Sequence, residues 1–184
     1  RLISTHQGRI VAVPQDDRSI FFVTDHDGFF SKPESFPVMN FVPVNYRDGD
    51  FITAFVSFDE YLLIFKQFSI WAMLGAWPDV KMKAVSYRPD FTSMGTLDQR
   101  AVVVFENETI FPSHDGVYRL RKGEFGAIES TWATRKISGP IDDLYEIVDQ
   151  SAALHAAYDR SRRHYRLWAT LRSGQNVNRL VVTA

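Results

Sequence analysis

Two identical triplets, His26-Asp27-Gly28 and His114-Asp115-Gly116, set an imidazole beside a carboxylate twice in a chain of 184 residues. Such a pair has the makings of a shared metal site or of an acid/base couple. Around the first copy, Asp25, Asp27, Gly28 and Glu34 follow the later part of the calcium-loop pattern D-x-D-x-D-G-x5-E. The first ligand position of that pattern is Val23, however, and Pro33 interrupts the helix that should follow. Asp-Gly is a tight-turn pair for backbone reasons of its own. The triplets therefore read as one turn made twice, each after the second strand of a unit, with His26 and His114 incidental.

Other reactive constellations are thinner. His6, His26, His114, His155 and His164 are scattered, with no H-x-x-x-H or H-E-x-x-H spacing for a metal. There is no G-x-S-x-G nucleophile turn and no glycine-rich phosphate loop. Asp16-Asp17, Asp59-Glu60 and Asp142-Asp143 are sequence neighbours, and neighbours on a strand point to opposite faces, which suits solvated turns better than a facing acid and base. One segment is strongly basic. In "RSRRHYR", Arg160, Arg162, Arg163 and Arg166 surround Tyr165, and guanidinium groups beside an aromatic ring suit contact with DNA phosphates or an acidic partner. The plainer reading is a charged hairpin turn leading into a strand, with Tyr165 and Leu167 on one side. No catalytic, cofactor-binding or metal residue is assigned.

The elements that would carry these residues are short apolar runs rich in Val, Ile, Phe, Tyr and Trp, split by Asp, Asn, Gly, Ser and Arg clusters. They read as strands: Arg9 to Val13 with Ile20 to Thr24; Ile52 to Phe58, Tyr61 to Lys66 and Ile70 to Leu74; Ala101 to Phe105, Ile110 to Ser113 and Val117 to Leu120; Ala153 to Tyr158, His164 to Leu171 and Arg179 to Ala184. One helix of at most about three turns is predicted from Pro140 onward, in "PIDDLYEIVDQSA". The units begin about 40 to 50 residues apart, a spacing found in propeller blades. The predicted fold is all-β, a β-propeller of about four blade-like units, either a small complete ring or an arc of a larger one.

Composition bounds the rest. Hydrophobic residues make up 45% of the chain, enough to bury a core, and aromatic content is 14%. A formal net charge of -1 gives no global pull toward nucleic acid or anionic lipid. The absence of cysteine removes disulfides, thiolate chemistry and Cys-bound zinc. No apolar run approaches the roughly 20 residues of a membrane span. A first residue that is Arg1 rather than Met predicts a piece of a longer chain, with residues 1 to 184 as one propeller domain or part of one.

The order of the segments carries a resemblance. Pro33 to Pro37 reads "PESFP", Ile52 to Phe55 opens a strand, Leu63 to Trp71 reads "LIFKQFSIW" and Ser113 to Tyr118 reads "SHDGVY". This succession, within a likeness running from about Gly8 to Leu171, is similar to the propeller-forming tail proteins of tailed bacteriophages, in particular the tail-nozzle (tail tubular B-type) proteins of short-tailed phages. Gln67-Phe68 inside the third phrase, and Pro112 inside a strand, depart from the expected pattern. The resemblance implies a virion tail component without enzymatic activity or cofactor. It also implies a ring of copies around the DNA exit channel, contact with other tail proteins, and passage of genomic DNA without sequence specificity. In a ring of this kind, a neutral or acidic channel wall would let DNA slide. The alternatives are a glycan- or protein-binding propeller with an exposed aromatic shelf at Trp71, Trp77 or Trp132, and a propeller glycoside hydrolase with converging carboxylates.

Overall fold

The computed structural model describes residues 2–27, 30–32, 35–75, 77–86, 94–122, 132–172 and 176–183. It is all-β, with four antiparallel sheets, a two-stranded ribbon and one short α-helix. The chain divides into two compact units, Arg1–Gly95 and Thr96–Ala184.

The first unit begins with β1 (Leu2–His6), β2 (Arg9–Val13) and β3 (Ile20–Val23), followed by a ribbon of β4 (Asp25–Asp27) and β5 (Phe30–Lys32), then β6 (Phe41–Pro43). Its first sheet has the order β1-β2-β3-β6. The second sheet contains β7 (Ile52–Phe58), β8 (Tyr61–Lys66), β9 (Ile70–Leu74) and β10 (Lys81–Ser86), in the order β10-β9-β8-β7. Every one of the six residues of β8 is buried, so this strand is covered on both faces and reads as one apolar run rather than an alternation. Val11, Phe21, Val23, Val42 and Val44 pack against Ile52, Phe55, Leu62, Ile64 and Met73, so the inner faces of the two sheets form the core. Phe21 meets Phe55 edge to face, with ring centroids 5.3 Å apart.

The second unit opens with a 3₁₀ turn at Gln99–Ala101, capped by Asp98. β11 (Val103–Phe105), β12 (Glu108–Ser113), β13 (Gly116–Lys122) and β14 (Trp132–Lys136) pair in chain order. A second 3₁₀ turn, Gly139–Ile141, leads into α1 (Asp142–Glu146), and β15 (His155–Asp159), β16 (His164–Thr170) and β17 (Asn176–Thr183) form the last sheet. Ile110, Val117, Tyr145, Val148, Leu154, Tyr165 and Leu167 belong to its core. Two buried phenols tie the parts together: Tyr165 donates to the Ala101 carbonyl at 2.7 Å, and Tyr145 to the Ser113 carbonyl at 2.5 Å. Each satisfies an oxygen that burial would otherwise strand.

All four sheets are meanders built from strands in chain order, as expected, and β2, β7, β8 and β9 match their predicted limits. Other features need correction. Ala101 ends a 3₁₀ turn instead of starting a strand, because Asp98 caps that turn. The first triplet does not repeat the turn of the second: Asp25, His26 and Asp27 form β4, paired with Lys32, Ser31 and Phe30. β4 follows the third strand of the first sheet, since β1 precedes the two that were foreseen. Pro112 lies within β12 without breaking it. Its partner Val117 turns its own N–H and C=O toward Ser138 and Ile137, so Pro112 faces away from β13, beyond the end of β11. The Pro112 carbonyl instead accepts from Thr96 Oγ1 at 2.9 Å.

One charge is fully inside the first unit. Lys66, 0% exposed, ends β8 and donates to the Val44 carbonyl at 3.0 Å and to both Asp48 oxygens at 2.6 Å. Asp50 accepts from the Phe68 N–H at 3.0 Å and from Ser69 Oγ at 2.8 Å, and Ser69 Oγ in turn accepts from Trp71 Nε1. The phrase Lys66 to Trp71 therefore anchors the loop before β7 to the β8–β9 turn. Asp48→Asn should lower the unfolding free energy by about 3 kcal/mol, because it leaves a buried ammonium without its counter-charge. Urea denaturation checks this, and a midpoint unchanged from wild type would refute the role given to the pair.

Candidate functional site

The arginine segment is the loop between β15 and β16, closed by the pair Asp159 and His164. Asp159 organises it. Its Oδ1 accepts from the Ser161 N–H at 3.1 Å, from Ser161 Oγ at 2.7 Å and from the Arg162 N–H at 3.3 Å, while Oδ2 takes Arg166 Nη2 at 2.5 Å. The four arginines therefore separate into two kinds. Arg166 is half-buried and spent on Asp159, whereas Arg160, Arg162 and Arg163 are exposed and make no ion pair among the described residues. Tyr165 and Leu167 point into the core. Alternation leaves His164, Arg166 and Trp168 on the opposite face, with Trp168 38% exposed and paired across the strand with His155.

The second triplet is a two-residue turn, His114-Asp115, closed by Ser113 and Gly116. Polar groups of one unit converge on it. Gln150 engages both the His114 ring, at 3.0 Å, and the His114 carbonyl; Tyr118 donates to Asp115 Oδ2 at 2.7 Å. Lys136 Nζ lies 2.9 Å from Asp142 Oδ2 and 4.0 Å from Asp115 Oδ2. Ser138 Oγ accepts from the Val117 N–H and donates to Asp142. The Lys136 ammonium holds the Asp142 carboxyl below its ordinary range, and burial together with the Asp115 carboxylate pushes the Tyr118 phenol up. These contacts lock the β12–β13 turn to β14 and the start of α1.

The remaining candidates disperse. His6 is buried in the first unit against Ser57 Oγ at 2.9 Å, and burial lowers its pKa. Among the described residues no group of three or more His, Asp or Glu side chains could hold a metal ion. Gly28 and Glu34 lie outside the described residues, as do the side chains of His26, Asp27 and Trp132. Trp71 and Trp77 are half-buried and pack against the core of the first unit. Two of the paired carboxylates are turn residues, Asp17 bound to Ser19 and Asp59 at φ +55 in the β7–β8 turn, whereas Asp142 opens α1 and binds Lys136 and Ser138.

The repeated motif that matters is a different one. Asp17-Arg18-Ser19, Asp149-Gln150-Ser151 and Asp159-Arg160-Ser161 each fold so that the aspartate Oδ1 accepts both the N–H and the hydroxyl of the serine two residues on. The signal was present in the sequence as D-x-S, and D-R-S occurs twice. The serine hydroxyl, then the serine N–H at Asp17 and Asp149, holds these carboxyls below their ordinary range; at Asp159 Arg162 and Arg166 add to the hydroxyl. Each therefore stabilises the folded state above the ordinary carboxylate pKa and loses that contribution as pH falls through its lowered value. Asp50 is the opposite case, raised by burial, although Phe68 and Ser69 occupy its oxygens.

No protein-family model and no curated protein matches this chain. Function must therefore be argued from the residues. They form two kinds of feature: carboxylates engaged by their own turns, and an exposed cationic, aromatic face on β15–β16.

Gly116 tests the turn account. Its φ is +154, and a Cβ there would overlap Ser138 Oγ and Lys136 Cε. Gly116→Ala should cost about 2 kcal/mol and lower the melting temperature by several degrees. A melting temperature within a degree of wild type would show that the turn has room to spare.

Proposed function

We propose that this chain is a structural component of a bacteriophage virion tail, nozzle-like, in which copies assemble as a ring around the DNA exit channel. The observation that carries the proposal is the succession of four antiparallel sheets whose strands pair in chain order, with the β4–β5 ribbon inserted between β3 and β6, an arrangement that supports propeller blades. The phrases of the resemblance support it through what their residues do. Lys66, Ser69 and Trp71 secure the loop before β7, and Asp115, Gly116 and Tyr118 build the β12–β13 turn. These are roles in a scaffold and require no substrate.

On this reading the chain is not an enzyme and needs no cofactor. Its neighbours are further copies and other tail proteins, and DNA passes without sequence-specific contact. The aromatic surplus supports packing within sheets and between them, as Phe21 with Phe55 and Phe111 with Tyr118 illustrate. Sedimentation velocity with negative-stain imaging of the purified chain should give closed rings of defined symmetry. A strictly monomeric particle with affinity for glycans would overturn the proposal.

A further inference from the structure

The second unit carries unlike charges at the two ends of β16. At one end the β15–β16 loop presents Arg160, Arg162 and Arg163, exposed and without ion pairs among the described residues. The loop's acid is consumed internally, since Asp159 binds Ser161, Arg162 and Arg166. The other end of β16 is tied to the residues just after α1. Asp149 N–H donates to the Thr170 carbonyl at 2.7 Å, Arg172 N–H donates to the Ile147 carbonyl at 2.9 Å, and Val148 bridges Leu171. There α1 exposes Asp143 and Glu146, which carry no ion pair among the described residues, while the exposed Arg172 at this end acts on Asp149. Their apolar neighbours Leu144 and Ile147 are 51% and 46% exposed.

The two ends are about 20 Å apart along a seven-residue strand, too far for the arginines to reach Asp143 or Glu146 of the same copy. The acidic surface also joins charge to apolar groups: Asp143 and Glu146 flank the exposed Leu144 and Ile147. Complementary patches on opposite ends of one body describe a heterologous, head-to-tail contact, the kind that closes into a ring. We infer that the arginine hairpin of one copy docks on the acidic, apolar face of α1 of the next copy. The contact rests on the ring reading above and supplies its interface. It also gives the arginines an acidic partner, so that they need not line a channel through which DNA must slide.

Charge reversal tests the contact. Arg162→Glu with Arg163→Glu, and separately Asp143→Lys with Glu146→Lys, should each raise the concentration for half-assembly by about a hundred-fold, because like charges then face each other. An equimolar mixture of the two variants should assemble again, since the reversed patches complement one another. Circular dichroism controls for folding, and if a reversal unfolds the chain, Arg162→Gln with Arg163→Gln and Asp143→Asn with Glu146→Gln provide weaker forms of the same test. Rings that form normally in both variants would overturn this contact while leaving the ring standing. A wild-type chain that never assembles would overturn both. Loss of assembly in the arginine variant alone would remove α1 as the docking surface. Binding of duplex DNA that the arginine reversal abolishes, with assembly untouched, would reassign the hairpin to nucleic acid.

Discussion

At five described aspartates the carboxylate accepts the amide two residues further along, and two of these, Asp17 and Asp159, stand at turns between paired strands. Asp17, Asp149 and Asp159 each take the N–H and the hydroxyl of a following serine, while Asp48 takes the Asp50 N–H and Asp98 takes the Arg100 N–H. Reversing an antiparallel strand within a few residues leaves backbone donors facing no ladder partner, and a carboxylate placed beside them supplies the missing acceptor. The same carboxylates then recruit a cation that ties the turn to a strand: Lys66 for Asp48 and Arg166 for Asp159.

That division of labour spends the described turn carboxylates on backbone amides, hydroxyls and neighbouring cations. A general acid needs a carboxyl whose pKa is raised and whose proton is accessible. Lowered values are the rule at the turns described here, through serine hydroxyls and backbone amides. Asp98 follows the rule against the trend of its own burial, because the Arg100 guanidinium and amide outweigh desolvation. The raised exception, Asp50, has its oxygens filled by Phe68 and Ser69. Burial goes the same way for the phenols. Tyr145 and Tyr165 are pushed up by desolvation and keep their protons on backbone carbonyls.

The parts of the fold legible in the sequence are those whose side chains are buried. β7, β8 and β9 could be read to the residue because their apolar runs are continuous and their separating turn is polar. The strands that escaped, β1, β4, β5, β6, β10 and β14, all lie at sheet edges. β1 exposes Ile3 and Thr5 and buries His6 alone, β10 exposes Lys81, Lys83 and Ala84 around half-buried Met82 and Val85, and "FVP" is three residues with one side chain inside. Edge strands are held by a neighbour's hydrogen bonds more than by their own hydrophobicity, so the pattern is faint. The site followed the same logic. Arg160, Arg162, Arg163 and Arg166 were visible as a basic cluster, but only Asp159 in space shows that Arg166 belongs to the turn. D-x-S went unread beside the more conspicuous His-Asp-Gly, whose two copies adopt different structures.

The central claim is that the turn carboxylates are spent on the fold itself. Titration of the aspartate side chains by carbon-detected nuclear magnetic resonance tests it most directly. The account predicts that Asp17, Asp149 and Asp159 all titrate below the ordinary aspartate value of about 3.9, and that each returns toward it when its serine, Ser19, Ser151 or Ser161, is replaced by alanine. Titration of any of the three at or above the ordinary value in the folded chain would contradict the account.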